Sequence, residues 1–212
     1  MAFMPLWGMK TIPLFPLNTV FYPDGQLPLQ VFEVRYLEMA RKCIADDVPF
    51  GIVSLLHGTE VRKPEQQEAL AAVGTMARIA TWSAPMPALL HLSCRGMQRF
   101  RIVASARLLN GLWMADIETM DADIVLPIPA EQQDAADALG ALIRTLQERG
   151  TPLDQMPIEG PFRLDECGWV ANRWCELLDI EPSQKQLLLE QQSPLLRLEL
   201  VQDLLAERGW LE

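Results

Sequence analysis

Apolar positions recur every second residue through the first part of the chain and every third or fourth residue beyond Pro129, a change from strand to helix periodicity. Ile12 to Leu17 reads as a short apolar strand, Pro23-Asp24-Gly25 as a turn, and Leu27 to Leu29 as a second strand. Pro13, Pro16, Pro23 and Pro28 keep these strands short and irregular, because proline removes a ladder donor. A helix is expected over Arg35 to Ala45, burying one side only. Phe50 to Leu56 is a continuous apolar run, predicting a strand covered on both faces. Residues 58–71 read as an exposed connection containing a helical turn. Val73 to Trp82 is the next strand, closed by Pro85 and Pro87.

Two further strands follow, Ala88 to Cys94 and Gln98 to Leu108. In the second, Phe100, Ile102, Ala104, Ala106 and Leu108 form an inner face, and Arg99, Arg101, Val103, Ser105 and Arg107 an outer one. Asn110-Gly111 is a hairpin signal. A two-residue turn there opposes Leu108 to Trp113, Ala106 to Ala115 and Ala104 to Ile117 inside, and Ser105 to Asp116 and Val103 to Glu118 outside.

Residues 123–129, with Pro127 and Pro129, read as a linker. Ala135, Ala138, Leu139, Leu142, Ile143 and Leu146 then form a helix face closed by Gly150, and Cys167 to Leu178 repeats the pattern. Ser183 is the expected cap of a short helix carrying Leu187 to Leu189. Ser193-Pro194 is an N-cap followed by proline at the first helical position, and Gly209 closes that last helix. The expected fold class is α+β: a bent, mostly antiparallel β pseudo-barrel with one helix over residues 1–122, and a C-terminal helical bundle over residues 130–212.

Half of the 212 residues are hydrophobic, which excludes a disordered chain. The net charge of −10, with four lysines, opposes non-specific nucleic-acid binding. Cys43, Cys94, Cys167 and Cys175 show no Cys-x-x-Cys spacing, and His57 and His91 are not spaced as zinc ligands. Buried reduced thiols in a cytoplasmic protein are the expectation. Neither a secretory leader nor a membrane-length apolar run is read. Asp46-Asp47, Asp121/Asp123 and Asp165-Glu166 sit at element boundaries, where acids cap helices and solubilise turns. Phosphate-loop and dinucleotide fingerprints are absent. No cofactor, metal site or catalytic residue is therefore assigned; an enzyme would need a site assembled from residues distant in sequence.

Arg95, Arg99, Arg101 and Arg107 share one parity, but the expected hairpin sets Arg107 diagonal to Asp116 and Arg101 diagonal to Glu118, so the outer face neutralises itself. The remaining chemistry is apolar. Trp7, Phe21, Tyr22, Trp82, Met86 and Trp113 fall near loops and strand ends, and Trp113 is assigned to the inner face. Phe21, Tyr22, Trp82 and Met86 are the candidate peptide-binding residues, since aromatic and methionine surfaces adapt to varied partners. The strongest segment is Trp82 to Pro87, whose prolines oppose sheet burial.

Several ordered stretches carry a family resemblance: Pro13-Leu14-Phe15-Pro16-Leu17, Leu27-Pro28-Leu29, Phe32-Glu33-Val34-Arg35-Tyr36, Phe50-Gly51-Ile52-Val53, Val73-Gly74-Thr75-Met76-Ala77 and Arg99-Phe100-Arg101-Ile102. Trp169-Val170-Ala171, Lys185-Gln186 and Arg197-Leu198 continue it. In this order they resemble the amino-terminal, substrate-binding domain of the Lon protease family, over almost the whole chain. The resemblance implies a PUA-like pseudo-barrel and a non-enzymatic module that binds unfolded or extended polypeptide segments, as an adaptor in protein quality control beside a protease or chaperone. No stretch resembles Lon's ATPase or serine–lysine proteolytic parts. The alternative it leaves is RNA binding, since PUA-type barrels include RNA binders; the acidic composition opposes it. No membrane partner is expected.

Overall fold

Alternation in the first part of the chain builds six strands and one helix: β1 Lys10–Leu17, β2 Gln26–Val31, α1 Val34–Asp46, β3 Phe50–His57, β4 Ala69–Met86, β5 Leu89–Arg107 and β6 Trp113–Thr119. These come from a computed structural model that describes residues 10–60, 68–152 and 156–211. Of the exposed connection expected at 58–71, residues 61–67 lie outside the described residues, as does Trp7, and Ala69 to Ala71 instead begin β4, with Ala71 buried. Strand order is β2-β5-β4-β3-β1-β6, and β5 also pairs β6, so five strands form a closed cycle of pairings. All pairings are antiparallel except β1 with β3. The fold is mixed α+β, and the chain divides into two compact units after Asp121.

In the first unit, α1 lies on the inner side of the sheet. Tyr36, Leu37, Ala40 and Cys43 join Phe15, Phe50, Leu90, Leu92 and Cys94 in one cluster. Phe15 and Tyr36 stack with ring centroids 4.1 Å apart. Arg35, on the same helix, is buried with them. It donates to the Gly111 carbonyl at 2.8 Å, pairs with Glu33 at 3.1 Å, and lies 4.4 Å from the Tyr36 ring centroid. A second cluster, including Ile12, Leu14, Val53, Phe100 and Ile117, fills the remainder.

Four further expectations are corrected. The two strands read at 88–94 and 98–108 are one strand, and β4 runs on through Pro85 to Met86, turning at Pro87-Ala88. Pro85 is tolerated because the pairing of β3 with β4 ends at Phe50 and Ala77, so β4 is an edge strand beyond Ala77. The 110–111 hairpin carries a three-residue loop, not a two-residue one. Leu108 N–H donates to Leu112 O at 2.8 Å, Gly111 takes φ +89°, and Leu112 N–H donates to Asn110 Oδ1 at 3.1 Å. Arg107 therefore pairs with Trp113 and Ala106 with Met114, a slip of one position from the expected register. Arg99 is not on the solvent face but 4% exposed. It pairs with Thr75 beside a register shift that bends the strand and buries neighbours Arg99 and Phe100 together. Finally, Ser183 lies inside its helix, whose N-cap is Glu181.

The second unit holds α2 Gln133–Glu148, α3 Cys167–Leu177, α4 Pro182–Glu190 and α5 Pro194–Glu207, after a 3-10 turn at Ala130–Gln132. Ser193 caps α5, its Oγ accepting from Leu196 N–H. Gly150 and Gly209 take φ +67° and +66° at helix ends, as a left-handed terminus requires. Trp174 Nε1 donates to Ala135 O at 2.8 Å, tying α3 to α2. The buried Arg197 binds Asp123 at 2.5 Å, Asn172 Oδ1 at 3.0 Å and the carbonyls of Leu188 and Gln191. Asp123 thus does structural work at the head of the segment read as a linker, and Cys167 N–H donates to Leu126 O at 3.0 Å further along it. No helix among the described residues is long and apolar enough to cross a membrane.

Two substitutions test this packing. A Cβ on Gly96 would sit 2.1 Å from the Tyr22 carbonyl oxygen, so Gly96→Ala should lower the unfolding free energy by about 1–3 kcal/mol, read as a lower urea midpoint. Arg197→Met leaves Asp123 without its guanidinium and should cost about 3 kcal/mol; an unchanged midpoint would show that the pair contributes nothing.

Candidate functional site

Beyond Ala77, β4 and β5 leave the closed cycle and continue as a ribbon, with β2 on the far side of β5. Pairing in register places Leu29, Leu92 and Trp82 on the inner side, and Gln30, His91 and Ser83 on the outer. Leu29 and Leu92 are buried beneath α1, whereas Trp82, at the ribbon's margin, is 54% exposed and Met86 is 59% exposed. Arg41 Nη2 donates to the Pro87 carbonyl at 2.8 Å, tying the tip to α1. Register shifts between Ile79 and Thr81 and between Ser83 and Met86 interrupt the free edge of β4, as does Pro85. Such devices discourage unplanned strand pairing.

Phe21 and Tyr22 do not join this surface. They are 4% and 0% exposed, because their segment folds down onto the sheet. Thr75 Oγ1 donates to Phe21 O at 2.6 Å, Gly25 N–H to Tyr22 O at 3.1 Å, and Gly96 leaves room for the Tyr22 carbonyl. Their expected role in peptide contact gives way to a role in the core. Trp113 is half-buried, its Nε1 donating to Glu68 at 2.6 Å and the Arg107 guanidinium 5.7 Å from its ring.

A groove of about 300 Å³ lies between β1 and β2. Phe15, Leu17 and Tyr36 form its apolar depth, and Phe32, Glu33 and Glu60 stand around it. Sequence reasoning missed it, since its walls come from stretches separated along the chain; the available signals were Pro28, marking β2 as an edge strand, and the exposed Phe32 before α1.

Four arginines of the first unit have acidic neighbours. Arg78 meets Asp47 at 2.6 Å, Arg95 meets Asp24 at 4.0 Å, and Arg107 meets Glu68 at 3.8 Å. Arg101 directly opposes Glu118. Exposed pairs contribute little stability, but they cancel the field that a nucleic-acid surface needs. His57 and His91 are exposed. All four cysteines are free and buried. Burial pushes the Cys43 thiol up and the Cys94 thiol up to about 12, with Cys43 adding to the rise, so neither is an activated nucleophile. Among the described residues, no group of three His, Cys, Asp or Glu side chains is placed to hold a metal ion.

The family model of the ATP-dependent protease La (LON) substrate-binding domain matches residues 11–207. A Lon protease of Paraburkholderia phytofirmans is 28% identical over 198 residues, covering 90% of this chain. Lon protease 2 of Myxococcus xanthus is 25% identical over 205 residues. The chain spans 23% of the length of each of these relatives. A Lon N-terminal domain protein from Xanthomonas campestris, solved by crystallography, superimposes with a TM-score of 0.73 at 29% identity, covering 92% of this chain and 98% of that one. The N-terminal domain of the Mycobacterium avium complex Lon protease shares the fold, at a TM-score of 0.57 and 15% identity.

The buried thiol predicts a pH dependence. Cys94 titrates near 12 when folded against an ordinary 9.0, so the folded state holds the proton more tightly. That contribution is whole below pH 9 and is lost as pH rises from 9 towards 12. The urea midpoint should fall over this window, and Cys94→Ala should flatten the fall. The flattening is partial, because the Tyr36 phenol is also raised by burial. A slope unchanged by Cys94→Ala would contradict the assignment.

Proposed function

The chain belongs to the Lon substrate-binding domain family, and from that premise we propose that it is a non-enzymatic module holding unfolded or extended polypeptide segments, an adaptor that presents them to a protease or chaperone. The observation that carries this reading is the exposure of Trp82 and Met86 on the β4–β5 ribbon. Large apolar side chains held at a ribbon's margin leave apolar area for a partner to cover. An aromatic ring beside a flexible thioether suits partners of varied sequence. The proposed frame for this surface is a PUA-like pseudo-barrel formed by the cycle β5-β4-β3-β1-β6, with the helices after Ala122 as a separate helical bundle. We place the protein in the cytoplasm, where reduced thiols belong. RNA binding has no support from the matched relatives, and the paired arginines and net charge of −10 oppose it.

A fluorescently labelled, permanently unfolded polypeptide gives the test, with binding read by anisotropy. The wild-type chain should bind it, and Trp82→Ala/Met86→Ala should weaken binding by roughly tenfold or more, the loss expected for central apolar anchors. Wild-type protein that binds no unfolded polypeptide would end this reading.

A further inference from the structure

Seven consecutive residues, 27–33, line the groove beside β2, whereas β1 contributes the alternate residues Phe15 and Leu17, followed by Thr19 just past its end. A cavity on one face of a strand meets every second residue. One that meets them all runs along the strand's edge and faces its backbone. β2 is the terminal strand of the sheet, paired with β5 alone. The Gly96 N–H donates to the Gly25 carbonyl at 2.8 Å, which fixes the parity: residues 25, 27, 29 and 31 turn their backbone groups to β5. Gln26, Pro28 and Gln30 turn theirs away. Pro28, which has no N–H to give, sits on the side where its absence breaks no ladder bond. The β2–β5 register runs from Gln26 to Val31 without a shift, so this edge is regular. Among the described residues no strand pairs with it.

We propose that the groove is a strand-addition site, in which an extended polypeptide segment joins the sheet along β2. The Gln26 and Gln30 N–H groups and the carbonyls of Gln26, Pro28 and Gln30 make the backbone bonds. Alternate apolar side chains of the segment point to Phe15, Leu17 and Tyr36. The occupant is a polypeptide because donors and acceptors repeated at the spacing of a strand match another extended backbone. Its flanks are basic. Glu33 is already paired with the buried Arg35, while Glu60 at the rim accepts from the Asn18 N–H at 2.6 Å, on a chain of net charge −10. This inference rests on the polypeptide-binding reading and narrows it to a binding mode and a sequence preference.

The probe is a labelled peptide of about seven residues, alternating valine and threonine with lysine at both ends, matched to a strand of β2's length. Wild-type protein should bind it. Methylating the peptide's backbone nitrogens at alternate positions, in one of the two parities, should weaken binding at least tenfold while leaving every side chain in place. Gln30→Pro should do the same, with its urea midpoint measured alongside, and glutamate in place of the terminal lysines should weaken binding severalfold. If the unfolded polypeptide of the previous section binds but neither N-methylated parity differs from the parent peptide by more than twofold, strand addition is wrong and the broader reading stands. If neither probe binds, both fall. Concentration-dependent dimerisation abolished by Gln30→Pro, with no peptide bound, would make the edge a self-association surface and overturn the proposal.

Discussion

A single buried guanidinium organises the first unit. Arg35 is almost wholly removed from water, and a charge in that position must be answered by fixed partners. It has three: the Glu33 carboxylate one residue before α1, the face of Tyr36, and the carbonyl of Gly111 in the β5–β6 loop. Tyr36 in turn stacks on Phe15 of β1. One side chain therefore joins the helix, the first strand and a distant hairpin loop. The Gly111 bond also bears on register, because it holds the loop in the conformation that gives Gly111 a positive φ. That loop closes on Leu108 and Leu112, and every pair of β5 with β6 down to Ala104 follows from it. The expected two-residue turn would move each of those pairs by one position.

This explains what the sequence could and could not disclose. Periodicity located most of the strands and helices, though it split β5 in two and ended β4 early, and Gly150, Gly209 and Ser193-Pro194 marked helix ends through local chemistry that needs no tertiary partner. The register of the 110–111 hairpin was not legible, because Asn-Gly serves two-residue and three-residue loops alike and the choice involves Arg35, far away in the chain. The unity of β5 was legible in hindsight: Leu90, Leu92, Cys94, Phe100 and Ile102 keep one parity across Gly96. Arg99 escaped that logic because a register shift next to Thr75 buries two neighbours together. Parity arguments fail at bulges, and no local residue type announced this one.

The candidate site divides in the same way. The exposure of Trp82 and Met86 was legible because proline near a strand end signals an edge. Phe21 and Tyr22 were not, since their burial depends on Thr75 and on the missing side chain of Gly96. Glu33, Arg35 and Tyr36, the centre of the family resemblance, turn out to be structural, while their neighbours Phe32 and Val34 are exposed. The part of the stretch that identifies the family thus holds the fold, and the positions between are free to face a partner.

The ribbon's two edges are built differently. Along β4 beyond Ala77, two register shifts and Pro85 break the backbone array, so that edge offers side chains, Trp82 and Met86, rather than a template. Along β2 the register is unbroken, and the only interruption is the missing N–H of Pro28. A fully regular edge would invite pairing with any exposed strand, including another copy of β2. One proline removes a donor from the middle of the array and leaves Gln26 and Gln30 on either side. Two copies of β2 aligned edge to edge would share that defect twice, whereas a partner strand lacking proline meets it once. The backbone array of this edge is therefore biased against pairing with a second copy of β2 and towards a strand that lacks proline.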